Sequence, residues 1–173
     1  MTTHAKTPQR YNALWVSLHW LVAILIFTAF YLGIRSEDAS PADKLAILKL
    51  HMPLGLSVLG LMIVRLIVRW RSAHPAPASS GNALLDKLGE WTHWALYVFA
   101  FLVPLTGVGL SMAFNLAPVV FGGQGELPAN LSPLLHGLID PILALLILLH
   151  VAAALWHQLV RKDNLLARMW FGS

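Results

Sequence analysis

Four long apolar runs, separated by short polar stretches, set the framework of this chain. Leu14 to Ile34 contains no Asp, Glu, Lys or Arg and is bounded by Arg10 and Arg35. A second run covers about Lys49 to Trp70, with Arg65 and Arg69 at its far end, a third about Trp91 to Leu116, and a fourth Leu134 to Val160. Each meets the roughly 20-residue length that a helix needs to cross a bilayer's hydrocarbon core. The pattern predicts an all-α, integral membrane four-helix bundle, folded as a single domain over residues 1–173. The first run follows Lys6 and Arg10 with no small-residue cleavage site behind it, so it reads as a retained helix. Ser72 to Asn82, rich in Pro, Ala and Ser, reads as a short linker outside the membrane. Ser36 to Leu48 and Asn115 to Pro133 read as loops, the second with a loose turn at Gly122-Gly123-Gln124-Gly125.

Composition agrees with a membrane location. Hydrophobic residues make up 57% of the chain and charged residues 12%, against about 25% charged in soluble domains. Cysteine is absent, which excludes disulfides, thiolate metal sites, iron–sulfur clusters and covalent attachment of haem through Cys-x-x-Cys-His. Nine Lys and Arg residues near the span ends (Lys6, Arg10, Arg65, Arg69, Arg71, Lys87, Arg161, Lys162 and Arg168) fall on one side, and Arg35, Lys44 and Lys49 on the other. The positive-inside rule then puts both termini of this multi-pass chain in the cytoplasm. Basic flanks among lipid headgroups account for the net charge of +4, and no nucleic-acid module is present. Arg69, Arg71, Arg161 and Lys162 read as such headgroup residues, and the tryptophans as an interfacial belt.

The chemistry lies in the histidines, six of which sit in or beside the apolar runs. His136, His150 and His157 share one face of the fourth span, because separations of 14 and 7 residues nearly close whole helical turns. With the amino terminus inside, His51 and His136 stand at an outer level, His19 and His150 at an inner one, and His93 competes for the inner position. His4 and His74 lie in polar or flexible segments and read as solvated. A pair of imidazoles from facing helices at equal depth is what a flat macrocycle in a bundle requires, and the simplest reading is two non-covalent b-type haems with bis-histidine ligation. Gly55, one turn after His51, leaves room for a flat ring to approach the backbone. Arg65, 14 residues beyond His51, falls near the inner level, where a haem propionate would answer its charge.

Taken together, these segments resemble the bacterial cytochrome b561 family, the small di-haem inner-membrane cytochromes that exchange electrons with quinone. The resemblance runs over nearly the whole chain. It rests on Leu18-His19-Trp20, on His51 followed by Gly55, on Ile63-Val64-Arg65-Leu66, and on Leu149-His150-Val151-Ala152-Ala153-Ala154-Leu155-Trp156-His157 followed by Lys162-Asp163-Asn164. It implies that His19 and His150 hold the inner haem and His51 and His136 the outer one. His93 is then not an axial ligand, and His93 and His157 become candidates for contact with a quinone, which needs a donor able to hand over a proton. One member type is a superoxide oxidase, in which superoxide gives its electron at the outer face and ubiquinone collects electrons below. The outer segments carry Arg35, Lys44 and Lys49 against Glu37, Asp38, Asp43 and Glu126, a near balance that offers little steering for an anion.

Two other functions fit the same four helices. One is a cytochrome b subunit of a larger complex, fed by a periplasmic dehydrogenase or hydrogenase. The other is a metal or proton transporter, against which stands the scarcity of acids in the spans: Asp140 is the single clear one, and the carboxylates that proton pathways and most hard-metal sites use are lacking. Membrane lipids are partners in every case, and association into a homo-oligomer is compatible with all three.

Overall fold

Asn12 opens the first helix by accepting the Trp15 amide at 2.9 Å on its side chain, one of the four amides that a helix start leaves without a partner. From there a computed structural model of the chain describes residues 10–171 apart from His74 and Asn130. His4 and His74 therefore lie outside the described residues. Helix α1 spans Ala13–Glu37, α2 Pro41–Arg71, α3 Ala83–Ala113, α4 Leu116–Gly122 and α5 Leu134–Trp156. A π-helical turn, His157–Arg161, and a 3-10 turn, Leu165–Met169, complete the chain. Among the described residues no strand occurs, and four helices are long and apolar enough to cross a membrane. Helix α1 packs on α2, α2 on α3, and α3 on α5.

The helices overrun the apolar stretches that announce them. The segment expected as a loop from Ser36 to Leu48 is mostly helical. Only Asp38 to Ser40 separates α1 from α2, because Ser40 caps the Asp43 amide and Pro41 supplies a fixed φ at the first helical position. Helix α3 likewise starts at Ala83, eight residues before Trp91, where the Asn82 side chain accepts from the amides of Leu84 and Leu85. It ends at Ala113, short of the expected Leu116, because Asn115 turns into the left-handed region at φ 49°. The loop beyond holds the short helix α4, unforeseen in the sequence, which buries Leu116 and Val120 one turn apart against the bundle. Gly123, at φ 63°, ends it.

Both described chain ends meet at one end of the bundle, called here the terminal end; the α1–α2 turn and α4 mark the opposite, loop end. Tyr11 donates its amide to the Arg168 carbonyl at 3.1 Å, and Trp20 donates its indole N–H to the Met169 carbonyl at 2.8 Å. The Trp20 and Trp170 rings meet edge to face at 5.7 Å. Trp20 is thus a fastener between α1 and the carboxy-terminal turn as well as a residue at a span end. The α2–α3 linker is fastened in the same way: Arg168 donates to the Ala76 carbonyl at 3.0 Å and Arg161 to the Ser80 carbonyl.

Arg161 and Arg69, expected among lipid headgroups, have partners within the protein. Arg161 lies over the Trp156 ring and beside Asp163, and Arg69 lies over the Trp94 and Tyr97 rings at 5.1 and 5.5 Å. Burial of its hydroxyl among these helix ends holds Tyr11 above the usual phenol range, although Arg69 and Arg168 pull it down.

Midway between the ends, Val22, Val58, Met62, Tyr97 and Ala100 form a buried apolar layer, with Leu25, Ile26, Leu61, Leu66 and Phe101 packed around it. In a bilayer such packing contributes through close contact, since lipid is as apolar as leucine. Its place in the fold matters more, because it separates two polar levels inside the bundle.

Candidate functional site

At the loop end, His51 from α2 faces His136 from α5, with ring centres 6.1 Å apart and planes crossed at 88°. Each ring is held from behind. His51 Nδ1 lies 3.1 Å from the Ala29 carbonyl, and His136 Nδ1 lies 3.0 Å from the Val103 carbonyl. A carbonyl only accepts, so both rings carry their proton on Nδ1 and keep the Nε2 lone pair for a ligand. Thr106 donates to the same Val103 carbonyl at 2.7 Å and stands 3.0 Å from His136 Nδ1, which fixes the ring further.

The space around this pair is a cleft whose lining includes Ala29, Phe30, Gly55, Val58, Pro104 and Asp140. Two glycines pack against the rings themselves. A Cβ on Gly107 would stand 3.4 Å from His136 Cε1, and one on Gly33 would stand 3.7 Å from His51 Cε1. Gly55 differs, since a Cβ there would meet nothing within 4 Å, leaving open room beside His51. Asp140 reaches in from one turn beyond His136, with Oδ2 at 3.7 Å from His136 Nε2 and a buried Oδ1 that has no hydrogen-bond partner among the described residues.

At the terminal end, His19 from α1 faces His150 from α5, again with ring centres 6.1 Å apart. His93 from α3 stands beside them, its ring 5.1 Å from that of His150, but its Nδ1 turns back to the Gly89 carbonyl at 2.7 Å and its side chain opens outward. Arg65 closes the group from α2. Its Nη2 is 3.0 Å from His19 Nδ1, its Nε donates to the Tyr97 hydroxyl at 3.3 Å, and its buried Nη1 has no partner among the described residues. A buried guanidinium with a spare N–H calls for an anion.

The two pairs fit one kind of ligand. An imidazole nitrogen binds a metal at about 2 Å, and the ring centre lies about 1 Å beyond it, so two rings on opposite sides of one iron have centres about 6 Å apart. Both pairs stand at that separation. They do so without a further His, Cys, Asp or Glu converging to complete a cluster of three among the described residues. A planar metal complex whose own four donors fill the remaining positions suits two opposed imidazoles, an apolar cleft and a free guanidinium.

His157, the remaining helix histidine, begins the π-helical turn, with Nδ1 2.6 Å from Asp163 Oδ2. The structure thus brings His51 to His136, His19 to His150, and Arg65 and His93 to the second pair, with Gly55 beside the first. It sets His157 apart, below His150. The sequence reading passed over Tyr97, Thr106 and Asp163. An aromatic, a hydroxyl and a loop carboxylate at these places carry no periodic signal, and only the contacts reveal them.

The family model described as prokaryotic cytochrome b561 matches residues 10–172. Among curated proteins, the chain is 32% identical to cytochrome b562 of Cereibacter sphaeroides over 92% of its own length and 94% of the relative's. It is 28% identical to cytochrome b561 homolog 2 of Escherichia coli, covering 95% and 93% of the two chains. It is 27% identical to the probable superoxide oxidase CybB of Yersinia pestis, covering 93% and 96%.

Proposed function

The chain belongs to the prokaryotic cytochrome b561 family of membrane electron-transfer proteins, and from that premise we propose that it holds two haem b groups and passes single electrons from superoxide at the loop end to ubiquinone at the terminal end. The family implies haem b, which when bound supplies one-electron storage and relay. His51 and His136 would hold the loop-end group and His19 and His150 the terminal-end group. The observation that supports this most is the repeat of one separation, 6.1 Å, in two histidine pairs that share no residue.

The chain's own side chains do the rest. The Ala29 and Val103 carbonyls orient the loop-end imidazoles, and Gly55 and Gly107 let a flat ring lie close to the helices. For His19 to bind through Nε2 its proton must sit on Nδ1, so Arg65 would serve a haem carboxylate instead. His93 and His157 would contact the quinone, each presenting an imidazole at the terminal end. The apolar layer around Val58, Met62 and Ala100 keeps water from the space between the levels.

The basic residues near the terminal end favour placing it in the cytoplasm of a bacterial inner membrane. Superoxide as donor draws support from the likeness to the probable superoxide oxidase of Yersinia pestis. A pyridine haemochromogen assay on detergent-purified protein tests the core of the proposal, with two haems b per chain expected. Superoxide-driven reduction of ubiquinone is the assay that follows. Intact haem without that activity would move the donor to a protein partner, such as a periplasmic dehydrogenase or hydrogenase.

A further inference from the structure

The π-helical turn at the end of the fourth span accomplishes what a continued α-helix would not. By taking one residue more per turn it lets the chain fold back beneath His157, whose carbonyl accepts the amides of both Lys162 and Asp163. Lys162 and Asn164 flank the reversal, both in the left-handed region at φ 56°. These are conformations that non-glycine residues adopt where the surrounding structure imposes them, and π-helical turns gather at functional sites. What the reversal places is Asp163. Its Oδ2 meets His157 Nδ1 at 2.6 Å, its Oδ1 accepts the Leu165 amide at 3.2 Å, and Arg161 Nε stands 3.8 Å from Oδ2. The pair bridges two environments, since the Asp163 side chain is 33% exposed and that of His157 only 12%.

We infer that Asp163 is a positioning residue for quinone protonation, holding a proton on Nδ1 of His157 so that Nε2 presents the proton that the quinone oxygen takes. This rests on the reading above that His157 meets the quinone. Reduction of a quinone to a quinol consumes two electrons and two protons. The electrons arrive singly through the haem route. For each proton, the Nε2–H bond of the His157 imidazolium breaks and an O–H bond forms on the quinone, while the Nδ1–H bond facing Asp163 persists. The neutral ring then regains its Nε2 proton from solvent, as hydronium or a protonated buffer that is left as water or the buffer base, and a second cycle delivers the second proton. A carboxylate behind the ring stabilises the imidazolium between cycles, the part that an orienting acid plays behind a catalytic histidine. The hydrogen bond from His157 holds Asp163 below the usual carboxylate range, so it is anionic at neutral pH. The other charges nearby are Arg161 and Lys162 on the same turn, and Asp86, which is held by Ser79 and Ser80 on the far side of Arg161.

The test uses the haem-loaded full chain in ubiquinone-containing vesicles, comparing wild type, Asp163→Asn, Asp163→Glu and His157→Leu. The reduced-minus-oxidised spectrum checks that each variant keeps its haems. Asp163→Asn is expected to lower kcat for quinol formation by about tenfold with KM within about twofold. Its alkaline limb should move to lower pH, because the imidazolium loses its anionic support. Asp163→Glu, which keeps the carboxylate, should restore the limb. ¹⁵N resonances of His157 in histidine-labelled protein, recorded at alkaline pH where the ring is neutral, provide a readout independent of turnover, with the remaining proton on Nδ1 in wild type and shared between the two nitrogens in Asp163→Asn. If His157→Leu turns over normally, the quinone reading of His157 fails and takes this inference with it. If His157→Leu is slow while Asp163→Asn keeps the wild-type kcat, alkaline limb and tautomer, the positioning role is overturned and the quinone reading stands.

Discussion

Arg65 points Nη2 at Nδ1 of His19 over 3.0 Å, whereas His51 and His136 each turn Nδ1 to a backbone carbonyl. The two levels of the bundle are therefore electrically different. A carbonyl behind an imidazole makes it a richer donor to a ferric iron, and the loop-end cleft adds the carboxyl of Asp140 with no Lys or Arg in its lining. A haem held by His19 and His150, as proposed, would have a permanent cation beside it, which favours the reduced iron. Arg65→Leu is expected to make the terminal-end haem about tenfold harder to reduce, about 59 mV for a one-electron couple, and to leave the other unchanged. Spectroelectrochemical titration of wild type and variant checks it. Equal shifts in both haems would count against a local effect.

Under the proposed assignment, replacement of single histidines of the two pairs should divide the haem content. His19→Leu and His51→Leu are each expected to retain one haem per chain, and His93→Leu both, because His93 stands to one side of the pair with its side chain opening outward. Haemochromogen assays with protein quantified by amino-acid analysis provide the count. Loss of a haem in His93→Leu would reassign the terminal-end pair.

The glycines around the loop-end cleft make separable predictions. Gly55→Leu should be tolerated by the fold, since a Cβ there meets nothing within 4 Å, yet fill the space a ring would occupy and abolish loop-end haem binding. Gly107→Val should act through His136, whose Cε1 lies 3.4 Å from the position of a Cβ, and lower loop-end haem affinity by 10-fold or more. Haem titration of the apoprotein, with helicity followed by circular dichroism, distinguishes loss of site from loss of fold.

Acid should loosen the carboxy-terminal turn. His157 holds Asp163 below its ordinary range, so the contribution of this contact is complete above the unfolded carboxylate value, about 3.9, and is lost as pH falls through the lower folded value. Amide exchange in residues 163–169 is expected to be constant from neutral pH down to about 4, after correction for intrinsic rates, and to accelerate below it. Asp163→Asn should show the faster exchange at every pH. Because Tyr11 and Trp20 bond to Arg168 and Met169, the start of α1 should loosen in parallel.

The histidine levels were legible in the sequence because helical periodicity and span length together turn residue number into depth. His136 and His150 on one face, with His19 and His51 at opposite ends of their spans, needed no side-chain detail. The linker from Ser72 to Asn82 was legible in its composition, and it lies between α2 and α3 as expected, but the other helix ends were not legible in this way. Hydropathy marks where lipid ends, while helices continue until a cap or a left-handed residue stops them, so Ser40, Asn82 and Asn115 decided the boundaries that the apolar runs left open. Helix α4 escaped notice because seven residues give too short a period to read. Arg161 and Asp163 were hidden for another reason: a charged pair beyond a span looks the same in sequence whether it faces headgroups or folds back on a histidine.

Each histidine pair takes one member from the first half of the chain and one from α5. During synthesis, His19 and His51 emerge well before His136 and His150, and Arg168 and Met169, which fasten α1 at its base, follow later still. Neither pair exists on a nascent chain with three helices in the membrane. Under the proposed assignment, a truncated product that stops before α5 would occupy the membrane without ever sequestering iron.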